Sequence, residues 1–75
     1  MNIHTELDTR GLNYPLPILK AKKALATMDS GALLKVISTD PGSLRDFQAF
    51  ARQTGNELVQ QMQADRDYIH ILKRR

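Results

Sequence analysis

Few side chains in this sequence are equipped for covalent or acid–base chemistry. None of its 75 residues is a cysteine, which excludes a disulfide, a thiolate metal site and a thiol nucleophile on this chain. The two histidines, His4 and His70, lack cysteine partners and the H-x₃₋₅-H spacing of a structural zinc site. Each is expected on a strand surface rather than as a ligand, so neither metal nor cofactor is expected. No pair of carboxylates has a spacing that suggests hydrolysis. Asp8 and Asp40 are expected to tie down loops instead. There is no glycine-rich phosphate loop. What stands out is the segment Gly11-Leu12-Asn13-Tyr14-Pro15-Leu16-Pro17. Proline fits the first turn of a helix, where its missing N–H loses no hydrogen bond. Pro15 and Pro17 thus read as helix openers, with Tyr14 at the entrance. Its ring either covers the start of the helix or takes part in binding.

The elements that must hold this segment follow from periodicity. Ile3, Thr5 and Leu7 alternate with His4, Glu6 and Asp8, as in a half-buried strand. Gly11 supplies backbone freedom after it. Ile18, Ala21, Leu25 and Met28 form one apolar stripe of a helix that Asp29-Ser30-Gly31 stops. Leu16, Lys20, Lys23 and Thr27 fall on its other face. Leu33 to Ile37 is apolar on both faces and suits a central strand. Asp40 or Ser43 caps a second helix, with Leu44, Phe47, Phe50, Ala51 and Thr54 inward, Arg45, Gln48 and Arg52 outward, and Gly55 as C-terminal cap. Leu58 to Gln63 reads as a polar strand, Ala64 to Asp67 as a turn, and Tyr68 to Leu72 as the last strand.

The order is β-α-β-α-β-β over one domain, residues 1–75. Two long crossovers and a final hairpin give a two-layer α/β (α+β) sandwich: a four-stranded mixed sheet with two helices on one face. The other sheet face is left without a layer. His4, Glu6, Gln61 and Gln63 are expected on it, with some exposed apolar surface from the last strand.

Charge and hydropathy narrow the partners. Of eleven basic residues, Lys73, Arg74 and Arg75 make up the whole excess over eight acidic ones, so the net +3 sits in the last three residues. Such a tail reads as a frayed, solubilising end. With two Phe, two Tyr and no Trp, stacking platforms for RNA are scarce. No stretch approaches the roughly 20 apolar residues that cross a bilayer. The first residues lack the charged and apolar regions of a signal peptide. A cytoplasmic protein without membrane contact is expected.

The segment Leu7-Asp8-x-x-Gly11-Leu12-Asn13-Tyr14-Pro15-Leu16-Pro17 resembles the opening of the TusA/SirA-like sulfur carriers, L-D-x-x-G-x-x-C-P-x-P. The likeness continues through Lys22-Lys23-Ala24-Leu25, Asp40-Pro41, Arg45-Asp46 and Glu57-Leu58-Val59, and it covers nearly the whole chain. It implies a small sulfur-relay protein that takes persulfide sulfur from a cysteine desulfurase. The sulfur passes to acceptor proteins, including those of tRNA thiolation. In that chemistry the thiolate attacks a donor persulfide and leaves with its outer sulfur. A helix N-terminus favours the thiolate through unpaired N–H groups and the helix dipole.

This chain departs from the pattern at the residue that matters most. Tyr14 stands where the family has its cysteine. A phenol with pKa near 10 is only about one part in a thousand ionised at pH 7, and oxygen does not hold sulfur as a transferable persulfide. Leu16 is a milder departure, since some members are acidic there. The expectation is a protein-docking member without catalytic nucleophile or transfer activity. Gly11, Tyr14, Pro15 and Pro17 form its motif, and Leu16, Lys20, Lys23, Arg45 and Arg52 are candidate partner contacts. Two alternatives stand beside it: a true carrier whose cysteine has been replaced at position 14, and an RNA-binding module.

Overall fold

The computed structural model describes residues 1–75. Its elements are β1 (Thr5–Thr9), α1 (Leu16–Ala26), β2 (Leu33–Ser38), α2 (Ser43–Thr54), β3 (Glu57–Ala64) and β4 (Asp67–Lys73). The sheet order is β1-β2-β4-β3. β1 and β2 are parallel, and β4 is antiparallel to both β2 and β3. This is the mixed four-stranded sheet expected from the sequence. Apolarity on both faces sorts the strands: β2 and β4 take the interior, and the glutamine-rich β3 takes an edge.

The core lies between the helices and one sheet face. Ala21 and Leu25 of α1 meet Phe47, Phe50 and Ala51 of α2 over Leu34, Val36 and Leu72. Phe47 and Phe50 meet edge to face, with ring centroids 6.0 Å apart. The apolar stripe of α1 therefore packs inward as expected. However, α1 ends at Ala26, and Met28 reaches the core from beyond it. α2 opens without a side-chain cap and closes on Gly55 in the left-handed region, φ 76°.

Several expectations need correction. The first strand starts at Thr5, leaving Ile3 outside it. Gln61 and Gln63 lie on the helix-facing side of the sheet, not on the open one. They pair in register with His70 and Tyr68, which share a face with the core residue Leu72. The reason is a bulge: pairing jumps from Leu58 to Gln60, so simple alternation fails across Val59. His4 is exposed, but His70 is fully buried rather than a surface residue. Finally, the basic tail is anchored. Arg74 exchanges main-chain bonds with Gly31 and Ala32, and its Nε donates to the Leu25 carbonyl at the end of α1.

Candidate functional site

The site grows from the two loops that leave the parallel strands β1 and β2 at their C-terminal ends. In open α/β sheets these ends are where ligands gather. Gly11 has φ 80°, which glycine adopts without strain, and its N–H donates to Thr39 Oγ1 at 2.9 Å. Asp40 joins the loops. Its Oδ1 accepts the Gly42 N–H at 3.0 Å and its Oδ2 accepts the Tyr14 N–H at 3.1 Å. Asp8 accepts the Arg10 N–H. Both aspartates thus fasten loops, as expected.

Tyr14 stands at the head of α1, its peptide to Pro15 cis and its side chain 67% exposed. Pro17 is buried against the body of the protein, which fixes the helix entry. The head of this helix has fewer free donors than a helix N-terminus usually offers. Pro15 and Pro17 have no N–H, and that of Leu16 donates to the Asn13 carbonyl. Only the Ile18 N–H in this turn has no main-chain partner. The several unpaired groups implied by the resemblance reduce to one.

Leu16 and Leu19, three residues apart in the first turns of α1, are 46% and 53% exposed. A cleft of about 190 Å³ opens beside Tyr14, lined by Ile18, Asp46, Ala49, Phe50 and Gln53. The Asp46 carboxyl is pushed above the ordinary carboxylate range, first by desolvation and then by the charge of Asp40. The position-14 side chain therefore looks onto an apolar cleft with one reluctantly ionised carboxyl.

Sequence reasoning placed Gly11, Tyr14, Pro15, Pro17 and Leu16 together, and so does the fold. It missed Leu19, which lies off the buried stripe of α1, and Asp46, which appeared only as part of the second motif. Lys20 and Lys23 are exposed on the face of α1 that carries Leu16, away from the Tyr14 cleft, along a shallow groove with Leu7, Ala24 and Thr27. Arg45 and Arg52 are exposed on α2 and line neither this groove nor the Tyr14 cleft. No group of three His, Asp or Glu side chains is placed to hold a metal ion. No helix is long and apolar enough to cross a membrane.

The comparisons with known proteins agree with this geometry. A model of the family described as sulfurtransferase TusA matches residues 5–74. The sulfur carrier protein TusA of Allochromatium vinosum is 55% identical over 69 residues, spanning 92% of this chain and 91% of that protein. The sulfur carrier protein TusA of Pseudomonas putida is 36% identical over 69 residues, spanning 92% and 86%. The crystal structure of a SirA-like protein from Desulfitobacterium hafniense superposes with a TM-score of 0.76 at 26% identity, covering 92% of this chain and 93% of that one.

Proposed function

The chain belongs to the TusA family of sulfur carriers, and we propose that it serves sulfur relay as a protein-docking member that does not itself carry persulfide. One observation carries this reading. A largely exposed tyrosine is presented at the head of α1, beside an open cleft, on a chain with no cysteine. The docking surface of a carrier is retained while the atom that would form the S–S bond is absent. A phenol oxygen offers hydrogen bonding and an aromatic face, and both suit recognition of a partner's loop. The partners are a cysteine desulfurase or a sulfur-acceptor protein.

The test is intact-mass spectrometry after incubation with a cysteine desulfurase and cysteine. The parent is expected to stay unmodified. Tyr14→Cys is expected to gain one sulfur, about 32 mass units, in a form that a thiol reductant removes, and only when the desulfurase is present. Sulfur on the parent overturns the claim that it transfers none. A folded, alkylatable Tyr14→Cys protein that stays uncharged overturns the claim that the docking surface is retained.

A further inference from the structure

The cleft at Tyr14 does not end at Phe50 and Gln53. The same two residues line a second cleft of about 340 Å³, reaching past Lys22 and Leu25 to the C-terminal ends of both helices and to Arg74 and Arg75. The helices follow two parallel strands on one side of the sheet, so they run the same way. The two clefts therefore form one trough between them, with Tyr14 at its head.

Its ends have opposite charge. Asp46 lines the head, with Asp40 close by. Lys22, Arg74 and Arg75 line the foot, together with no acidic side chain. The side-chain ion pairs of the protein use Arg10 and Lys35, and Arg74 is taken up by main-chain oxygens of Leu25 and Arg75, so Lys22 and Arg75 are the cations of the foot whose side chains have no partner in the fold. Glu57 lies next to Asn56 in sequence but pairs in register with Lys73, on the opposite sheet face from the core residue Leu72.

The foot is also held in place. Arg74 is fixed at Leu25, with its Nη1 donating to the main-chain oxygen of Arg75, and Asn56 Oδ1 accepts the Arg75 N–H at 3.0 Å. At Gly55 the arginine side chain passes 3.6 Å from where a Cβ would stand. Carbonyls at the helix ends would repel an anion, but several are already engaged. Ala51 accepts from Gly55, Phe50 from Thr54, and Leu25 from both Met28 and Arg74.

We propose that the foot of the trough is an anion seat for a side-chain carboxylate on an extended segment of a protein partner. It rests on the docking reading above and adds to it the chemistry of the docked segment. From Ile18 to Leu25, seven residues of helix span about 11 Å. An extended chain covers that in three or four residues at about 3.3 Å each. The partner's acidic residue thus stands three or four positions from the residue seated over Ile18 at the head of the trough, with small or apolar residues between. A nucleic-acid strand fits worse, because every nucleotide carries a negative charge and the head of the trough is acidic.

The probe is the capped peptide acetyl-Ser-Ala-Leu-Glu-Ser-Gly-amide, titrated into ¹⁵N-labelled protein and followed by amide shifts. Saturable shifts are expected at Ala26, Gln53, Thr54 and Asn56. Replacing the glutamate by glutamine should weaken binding about fivefold, the effect of one partly exposed ion pair. The double variant Lys22→Gln/Arg75→Gln should erase that difference. Neither side chain makes a hydrogen bond or ion pair within the fold, so the variant should fold as the parent does. The seat is refuted by equal affinity for the two peptides, by shifts that never saturate or that centre on Lys20 and Lys23, or by a decamer of oligouridylate binding these amides more tightly than the peptide at about 0.15 M salt. The charging experiment separates the two claims. A charged Tyr14→Cys protein without glutamate preference sinks the seat alone, and a glutamate preference without charging sinks the docking reading at the head.

Discussion

His70 should make this protein acid-sensitive in a pH range where carboxylates alone would not. The ring is fully buried and stacked on Phe47 at 4.5 Å. Its Nδ1 lies 3.0 Å from Gln61 Nε2, which also donates to the Leu44 carbonyl at 2.9 Å. That carbonyl only accepts, so the Gln61 nitrogen is a donor and His70 Nδ1 must accept. The proton of the neutral ring then sits on Nε2, facing Ser43 Oγ at 2.9 Å. A second proton on Nδ1 would meet a donor instead of an acceptor. Burial pushes the His70 pKa down to about 4, against about 6.5 unfolded. The folded value is the lower one, so the unfolded chain binds the proton more readily. Stability is full above pH 6.5 and is lost as pH falls towards 4. By linkage the loss from this group is about 2 kcal/mol at pH 5 and about 3 kcal/mol at pH 4, a large share of a small domain's stability. Urea denaturation at pH 7, 6, 5 and 4.5 reads it, with His70→Leu as the variant that lacks the titrating group. The parent should lose stability steeply over this range, and the variant, less stable at pH 7, should show a shallower slope. The Arg10–Asp67 pair acts at lower pH, since Arg10 holds the Asp67 carboxyl below its ordinary value. A His70 ring that titrates near pH 6.5 by NMR, or equal slopes in parent and variant, would refute the reasoning.

Two further perturbations test the packing and the site. Leu25→Ala and Phe47→Ala each remove a side chain at most 2% exposed from the centre of the core, and each should cost about 2–5 kcal/mol by urea denaturation; variants as stable as the parent would mean the buried faces are misassigned. Asp40→Asn removes one of the two influences that hold the Asp46 carboxyl high, so the Asp46 pKa should fall when followed by carboxyl ¹³C shifts. An unchanged value would leave desolvation as the sole cause.

What was legible in the sequence, and what was not, divides along physical lines. Helical stripes and a strand apolar on both faces report burial directly, so α1, α2, β2 and β4 and their layers were readable. Alternation failed where its premise failed. The extra residue at Val59 turns Gln61 to the helices, and there it becomes the donor that fixes His70. A buried histidine looks like a surface one in a pattern, because its partners, Ser43 and Gln61, lie 27 and 9 residues away. The basic tail misled for a related reason. A run of charge suggests solvation, but the arginine fork can satisfy helix-end carbonyls that no local sequence feature announces. At the site, the motif located the head of α1. It could not reveal that two prolines and Asn13 leave only one free N–H there.

That shortage of donors bears on what position 14 is built to do. For a thiolate, the positive end of α1 and the Ile18 N–H would act in favour, while Asp40 and Asp46 would act against. The balance is modest, so activation of a nucleophile here would lean on the partner's groups as much as on this chain. Docking has more to work with: the exposed ring of Tyr14, the exposed Leu16 and Leu19 in the first turns of α1, and a trough that changes charge sign along its length. Apolar contact gives affinity without direction, whereas charges of opposite sign at the two ends fix which way a segment lies. A carrier needs that orientation to bring two sulfur atoms within bonding distance. On the docking function proposed above, a segment oriented in this way would meet the Tyr14 oxygen where a carrier presents sulfur, and oxygen forms no transferable persulfide.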